Sequence, residues 1–92
     1  MGETVRAEAL YSGYVQGVGF RFTARNVASR YEVAGFVRNL PNGKVQVVLE
    51  GAKGEIEAFF SELAGEMGGY IQNADVKWQT ATGEFKGFGI RF

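Results

Sequence analysis

Neither cysteine nor histidine occurs anywhere in the 92-residue sequence. Without cysteine there is no disulfide, no thiolate nucleophile and no zinc site of the CxxC kind. Without histidine there is no imidazole base, no Ser-His-Asp triad and no imidazole metal ligand. Any chemistry here must run without the two commonest catalytic side chains. An excess of one charge is lacking as well, since ten Lys and Arg balance ten Asp and Glu. Non-specific nucleic-acid binding is mostly phosphate neutralisation by Lys and Arg, so this balance speaks against a nucleic-acid partner. No apolar run approaches the roughly 20 residues of a membrane span. The opening "MGETVRAEAL" carries Glu3 early and has no basic-then-apolar signal pattern. The expectation is a cytoplasmic protein with no membrane partner. Clustered carboxylates suited to a metal or to paired acid–base work are not evident either. Glu55, Glu57, Glu62 and Glu66 read as the wet face of a helix.

What is present fits one small domain over residues 1–92, with hydrophobic residues at 46% and charged residues at 22%, as in soluble globular chains. A chain of this size buries only about 60–65% of its unfolded surface. Val5, Ala7, Ala9 and Tyr11 alternate with more polar neighbours and predict a strand. Phe20, Ala24, Val27, Ala28 and Tyr31 fall on one helical face, which ends before Gly35. "GFVRN" and "KVQVVLEG" flank "LPNG", where Asn42-Gly43 signals a hairpin and Val45, Val47 and Leu49 point inward. Ile56, Phe59, Phe60, Leu63 and Met67 make a second helical face, with Glu55 and Glu57 in the first turns, where the dipole favours acid. Val76, Trp78 and Thr80 alternate as a strand, "TGEFKG" turns the chain, and Phe88, Ile90 and Phe92 alternate as a short last strand facing the core. The order predicts an α+β, ferredoxin-like βαββαβ sandwich: two helices on one face of a mostly antiparallel sheet, with a short fifth strand. That fold hosts many functions, so the functional argument must come from a site.

The stretch "YSGYVQGVGFRF" (Tyr11 to Phe22) places Gly13, Gly17 and Gly19 between a strand and a helix and sets Arg21 in the first turn. It has the first two glycines of GxGxxG, but Phe22 stands at the third position and no GK[ST] follows. A plain strand-to-helix turn needing positive φ at Gly17 or Gly19 is one reading. The charges favour another. Arg21 and Arg25 near the start of the helix, and Glu32 near its end, oppose the macrodipole. A bound anion resolves that conflict, because N–H groups of a Gly-rich turn and of a helix start form a nest for phosphate or sulfate. Arg21 adds a planar fork matched to two phosphate oxygens. Residues 15–21 therefore read as an anion cradle.

"GYVQGVGFR" (Gly13 to Arg21) resembles the signature of the acylphosphatases, and "GFVRNLPNGKVQVVLEG" (Gly35 to Gly51) resembles the second signature of that family. The resemblance extends over essentially the whole chain. It implies the same βαββαβ sandwich and hydrolysis of carboxyl phosphates to a carboxylate and inorganic phosphate, without metal or cofactor. The family's phosphate loop falls on Val15, Gln16, Gly17, Val18, Gly19 and Phe20. Its phosphate-gripping arginine is matched by Arg21 and its water-orienting asparagine by Asn39. Tyr14 stands where members often carry a basic residue, and "GGYIQNADV", taken as the loop before the fourth strand, lacks a common Gly-Pro. The expected ligands are a small acyl phosphate as substrate and inorganic phosphate as product and competitive inhibitor, bound by a monomer.

This chemistry suits a chain without imidazole or thiol. A carboxylate leaves without a proton from a strong acid, and phosphoryl transfer mainly needs its equatorial oxygens held and a water aimed in line. Taken without the resemblance, Asn39 also reads as a turn residue serving the backbone near Pro41, and Arg25 and Arg38 read as solvated charges. The rival from another class is an RNA-binding module on the same fold. "KGFGIRF" (Lys86 to Phe92) approaches the RNP1 pattern but lacks its central aromatic, with Ile90 in place of a stacking ring, and it sits on the wrong strand. A non-catalytic phosphate-sensing module, or a regulatory domain cut from a larger enzyme, is the second rival, and Asn39 argues against it because pure binding needs no water positioner.

Overall fold

A computed structural model of the chain describes residues 3–92; the opening pair, which the 1–92 domain and the lead-in "MGETVRAEAL" include, lies outside the described residues. The elements run β1 (Thr4–Gly13), α1 (Phe20–Ala28), β2 (Val33–Asn39), β3 (Val45–Ala52), α2 (Lys53–Met67), β4 (Ile71–Thr80) and β5 (Phe88–Arg91). They form a five-stranded sheet of order β4-β1-β3-β2-β5. β1 lies antiparallel to β3 and β4, β2 antiparallel to β3, and only β5 parallel to β2. The fold is the expected ferredoxin-like α+β sandwich. Among the described residues, no helix is long and apolar enough to cross a membrane.

Period-two patterning sends Ala7, Ala9, Val37, Val45, Val47 and Leu49 from three central strands into one core. Phe20, Ala24 and Val27 of α1 and Ile56, Phe59 and Leu63 of α2 close over them, all at or near zero exposure. Each fully buried Val, Leu, Ile or Phe contributes roughly 1.5–3 kcal/mol relative to exposure, so these two helical stripes hold the sandwich together. α1 is shorter than its apolar face. The i→i+3 bonds Arg30 N–H to Val27 O (3.0 Å) and Tyr31 N–H to Ala28 O (3.1 Å) wind the chain off the helix after Ala28. Tyr31 still packs on the core, and its hydroxyl donates to Glu62 at 2.7 Å. Glu62 and Glu66 also take Arg30, so this part of α2 is pinned to the end of α1 rather than merely wet.

The hairpin forms where Asn42-Gly43 placed it, but with a five-residue connection. Gly43 N–H donates to Leu40 O (3.1 Å), Leu40 N–H to Lys44 O (2.8 Å), and Gly43 takes φ 88°. Asn42 Oδ1 caps the turn by accepting Lys44 N–H at 3.0 Å. Tertiary contacts overrule pattern in two other places. "GGYIQNADV" is mostly strand, because β4 begins at Ile71 and pairs with Ser12 and Gly13 across a bulge. "TGEFKG" does not turn the chain. β4 and β5 are opposite edges of the sheet, so residues 81–87 must cross the face away from the helices.

Glu50 fastens that crossing. Its carboxylate accepts from Thr82 N–H (2.8 Å), Thr82 Oγ1 (2.9 Å), Gly83 N–H (2.8 Å) and Arg6 Nη1 (3.1 Å). Phe85 meets Phe36 edge-on at 5.8 Å, and the Arg91 guanidinium lies 3.8 Å from the centre of the Phe36 ring. Glu50 is the one charged residue among the described residues that is buried, at 5% exposure. Burial pushes its carboxyl up, but the Thr82 and Gly83 N–H groups, the Thr82 hydroxyl and Arg6 outweigh it and hold the group below its ordinary range.

Candidate active site

β1 delivers the chain to the site through a contact that only glycine allows. At Gly13, φ is 123° and a Cβ would lie 2.6 Å from Tyr70 O, while the next N–H, of Tyr14, donates to that oxygen at 2.9 Å. The following loop is nailed down from inside by Val15, at 0% exposure, and by the half-buried Val18, and it ends at buried Phe20, whose ring packs 5.0 Å from Tyr11. Gly17 and Gly19 take φ 78° and 80°, with open space where a Cβ would sit. Glycine is required there for its backbone angle and for the room it leaves.

No N–H from Val15 to Phe22 donates to any acceptor among the described residues. Gly19 is the N-cap of α1, accepting Thr23 N–H at 2.9 Å, yet the helix has no side-chain cap and no acid in its first turn. A run of free donors at the positive end of a helix attracts an anion. Arg21 is half-buried and forms no ion pair among the described residues. Its guanidinium instead lies 4.9 Å from the centre of the Phe92 ring. At the far side of the opening, β2 ends on Asn39, whose carboxamide makes no hydrogen bond among the described residues. The turn function that Asn39 could have served belongs to Asn42. A cleft of about 250 Å³ joins the pieces, lined by Gly17, Gly19, Arg21 and Asn39, with Val15, Phe20 and Phe22 completing its walls.

The family model for acylphosphatases matches residues 7–90, from the first core residue of β1 to the half-buried Ile90 of β5. This chain belongs to the acylphosphatase family. It is 41% identical over 91 residues to an acylphosphatase of Roseiflexus sp., covering 98% of each chain. An acylphosphatase of Coxiella burnetii shares 27% identity at a TM-score of 0.73, covering 96% of this chain and 93% of that one. The acylphosphatase of Bacillus subtilis superposes at a TM-score of 0.86 with 22% identity, over 96% of this chain and 99% of that one, which speaks to the fold.

Of the sequence-predicted site residues, Val15, Gly17, Gly19, Phe20, Arg21 and Asn39 line one cleft, whereas Gln16 and Val18 do not, Val18 packing on the core. Gln16 turns its side chain away from the loop: Nε2 donates to Leu40 O (2.8 Å) and Lys44 O (2.9 Å), bolting the loop to the hairpin that carries Asn39 and leaving only its backbone N–H for a ligand. Arg25 lies in the last turn of α1, where a cation suits the dipole, and Glu32 lies beyond the helix, its N–H donating to Glu55 at 2.8 Å. Of the three charges read as opposing the dipole, Arg21 alone does so. Phe92, expected in the core, is 96% exposed and stacks on Arg21. Phe88 and Ile90 do pack on the core, Phe88 lying 5.9 Å from Phe59, so the strand cannot present them as an RNA-stacking platform. Nothing in the local pattern distinguished Phe92 from them; only the parallel seating of β5 beside β2 brings the chain end to Arg21.

Proposed function

We propose that this acylphosphatase hydrolyses the carboxyl–phosphate bond of acyl phosphates, with the phosphoryl group seated on the Val15–Phe20 loop. The observation that carries the reading is a run of N–H groups with no acceptor among the described residues, on a loop whose cleft also holds Asn39 and Arg21, which forms no ion pair among those residues. The N–H groups of Val15, Gln16, Gly17, Val18, Gly19 and Phe20, with the Arg21 fork, hold the equatorial phosphoryl oxygens, whose shared charge the loose transition state retains. The Asn39 carboxamide accepts a hydrogen bond from a water and aims its oxygen at phosphorus, opposite the acyl oxygen. Water adds its oxygen to phosphorus as the bond from phosphorus to the acyl oxygen breaks. The electron pair of that bond leaves on the carboxylate, and the water's protons end on phosphate and solvent. Every group invoked belongs to this chain, and one copy supplies the whole site.

The reading carries its corollaries with it. Inorganic phosphate, the product, competes for the same cradle. Acyl phosphates form from carboxylates and nucleoside triphosphates, so a cytoplasmic location fits the substrate. The test is phosphate release from benzoyl phosphate compared with p-nitrophenyl phosphate. The ester needs a proton or a better leaving group that this cleft does not provide, so turnover should be confined to the mixed anhydride. Equal turnover of both, or of neither, overturns the reading.

A further inference from the structure

The helix side of the sheet is covered unevenly. α2 packs on β3 and β1, and β4 beyond them turns Ala74, Val76 and Trp78 to the same side, in register with Tyr11, Ala9 and Ala7. Small residues border the space between helix and strand: Ala64 and Gly68 from α2 and its end, Ala74 from β4. None of them can fill it, and a groove of about 370 Å³ remains, with Phe60, Ile71 and Val76 completing its walls. Phe60 meets Trp78 edge-on at 6.4 Å, and beyond Gly68 the chain turns from α2 into β4, Ile71 N–H donating to Gly68 O at 3.3 Å. Among the described residues, no charged side chain lines the groove.

Tyr11 is the one polar side chain in that lining, and it is 4% exposed. The Tyr31 hydroxyl donates to Glu62, but that of Tyr11 makes no hydrogen bond among the described residues. No sealed side-chain nitrogen or oxygen among the described residues lacks a partner. The Tyr11 hydroxyl has none, so it is not sealed in the core and opens into the groove that the residue lines. Burial pushes its phenol well above the ordinary range, so at neutral pH it keeps a proton to donate.

We propose that this groove is a binding site for a small uncharged molecule with an apolar body and one carbonyl oxygen, the carbonyl accepting the Tyr11 hydroxyl. A phenol opening into an apolar space needs an acceptor there. The apolar walls suit a hydrocarbon body. A charged ligand would lose its hydration with no counter-charge in the lining to replace it. The volume falls within the roughly 300–1,000 Å³ of small-molecule sites. The groove shares no lining residue with the Arg21 cleft, and the contact of the Tyr11 and Phe20 rings stands between them. The two can be filled at once, and the inference holds whatever the cleft binds.

Acetophenone and α-methylstyrene, which has CH2 where the ketone has oxygen, test the site by titration into isotope-labelled protein with amide shifts read by NMR. Acetophenone should give saturating shifts centred on residues 60–68 and 71–76, with a dissociation constant of order 1 mM or below. Tyr11→Phe removes only the hydroxyl. It should weaken acetophenone about 3- to 10-fold and leave α-methylstyrene unchanged. Ala74→Leu fills the groove and should abolish binding of both. The dispersion of each variant's own spectrum shows that it is folded. Excess inorganic phosphate should not displace the ketone. Absence of saturating shifts up to about 10 mM acetophenone overturns the proposal. So does a Tyr11→Phe protein that holds acetophenone as tightly as the parent, an Ala74→Leu protein that still binds it, or displacement of the ketone by phosphate.

Discussion

In the proposed reaction Arg21 holds and Asn39 aims, and substitution can separate the two roles. Arg21→Lys keeps the charge but loses the fork, so turnover of benzoyl phosphate should fall severely, with inhibition by inorganic phosphate weakened alongside. Because Arg21 opposes the dipole of α1, Arg21→Ala should leave the phosphate-free protein as stable as the parent or slightly more so; unfolding on this substitution would make Arg21 a structural residue. Asn39→Ala should lower kcat by about 10²–10³, the scale for losing one well-placed polar contact in a closed site. Its affinity for inorganic phosphate, measured by calorimetry, should change less than about threefold. Equal losses of affinity and turnover would move Asn39 into the cradle. Arg21 was legible in the sequence because a cation is out of place at a helix start, whereas Asn39 came only from the resemblance, since an asparagine just before Pro41-Asn42-Gly43 also reads as a turn residue. The position of Phe92 was not legible. Its partner Arg21 lies 71 positions away in the sequence and only the sheet order brings them together. Gln16 was legible as a loop residue, while the direction of its side chain depends on the carbonyls of Leu40 and Lys44.

At the scale of elements, glycines in the two signatures answer different demands, and their substitutions should differ accordingly. A Cβ at Gly35 would sit 1.8 Å from Val48 O at a φ of 144°, inside the β2–β3 pairing. Gly35→Ala should therefore prevent stable folding, as read by the loss of a cooperative thermal transition. At Gly19 the added Cβ meets nothing, and the cost is a left-handed backbone angle, roughly 1–2 kcal/mol. Gly19→Ala should fold with a modestly lower Tm and bind phosphate much more weakly. A Gly19→Ala protein that keeps full phosphate affinity would argue against the loop as the cradle. The elements that were legible are those whose pattern is local: the alternation in β1, the two helical stripes, and the Asn-Gly turn. The start of β4 was hidden because "IQNAD" has no alternation and becomes a strand only against Ser12 and Gly13. The crossing at 81–87 was hidden because its anchor, Glu50, is more than thirty residues upstream.

For the whole molecule, pH acts through Glu50 on stability and leaves chemistry at neutral pH alone. A carboxyl held below its ordinary value contributes stability that is fully present above the unfolded value of 4.5 and is lost as pH falls through the lower folded value. The Tm should therefore drop as pH is lowered below that value, and Glu50→Gln should be less stable at neutral pH and show a flatter acid limb. Activity should survive a chelator, and its pH profile should have no limb near ~6.5, where a histidine would titrate. The account turns on water attacking phosphorus while the loop and Arg21 hold the phosphoryl oxygens. Its most direct test is single-turnover hydrolysis of benzoyl phosphate in water enriched in oxygen-18. The label is predicted in inorganic phosphate, with the benzoate unlabelled; label in the benzoate would place the attack at the carbonyl carbon and contradict the roles given to the loop, Arg21 and Asn39.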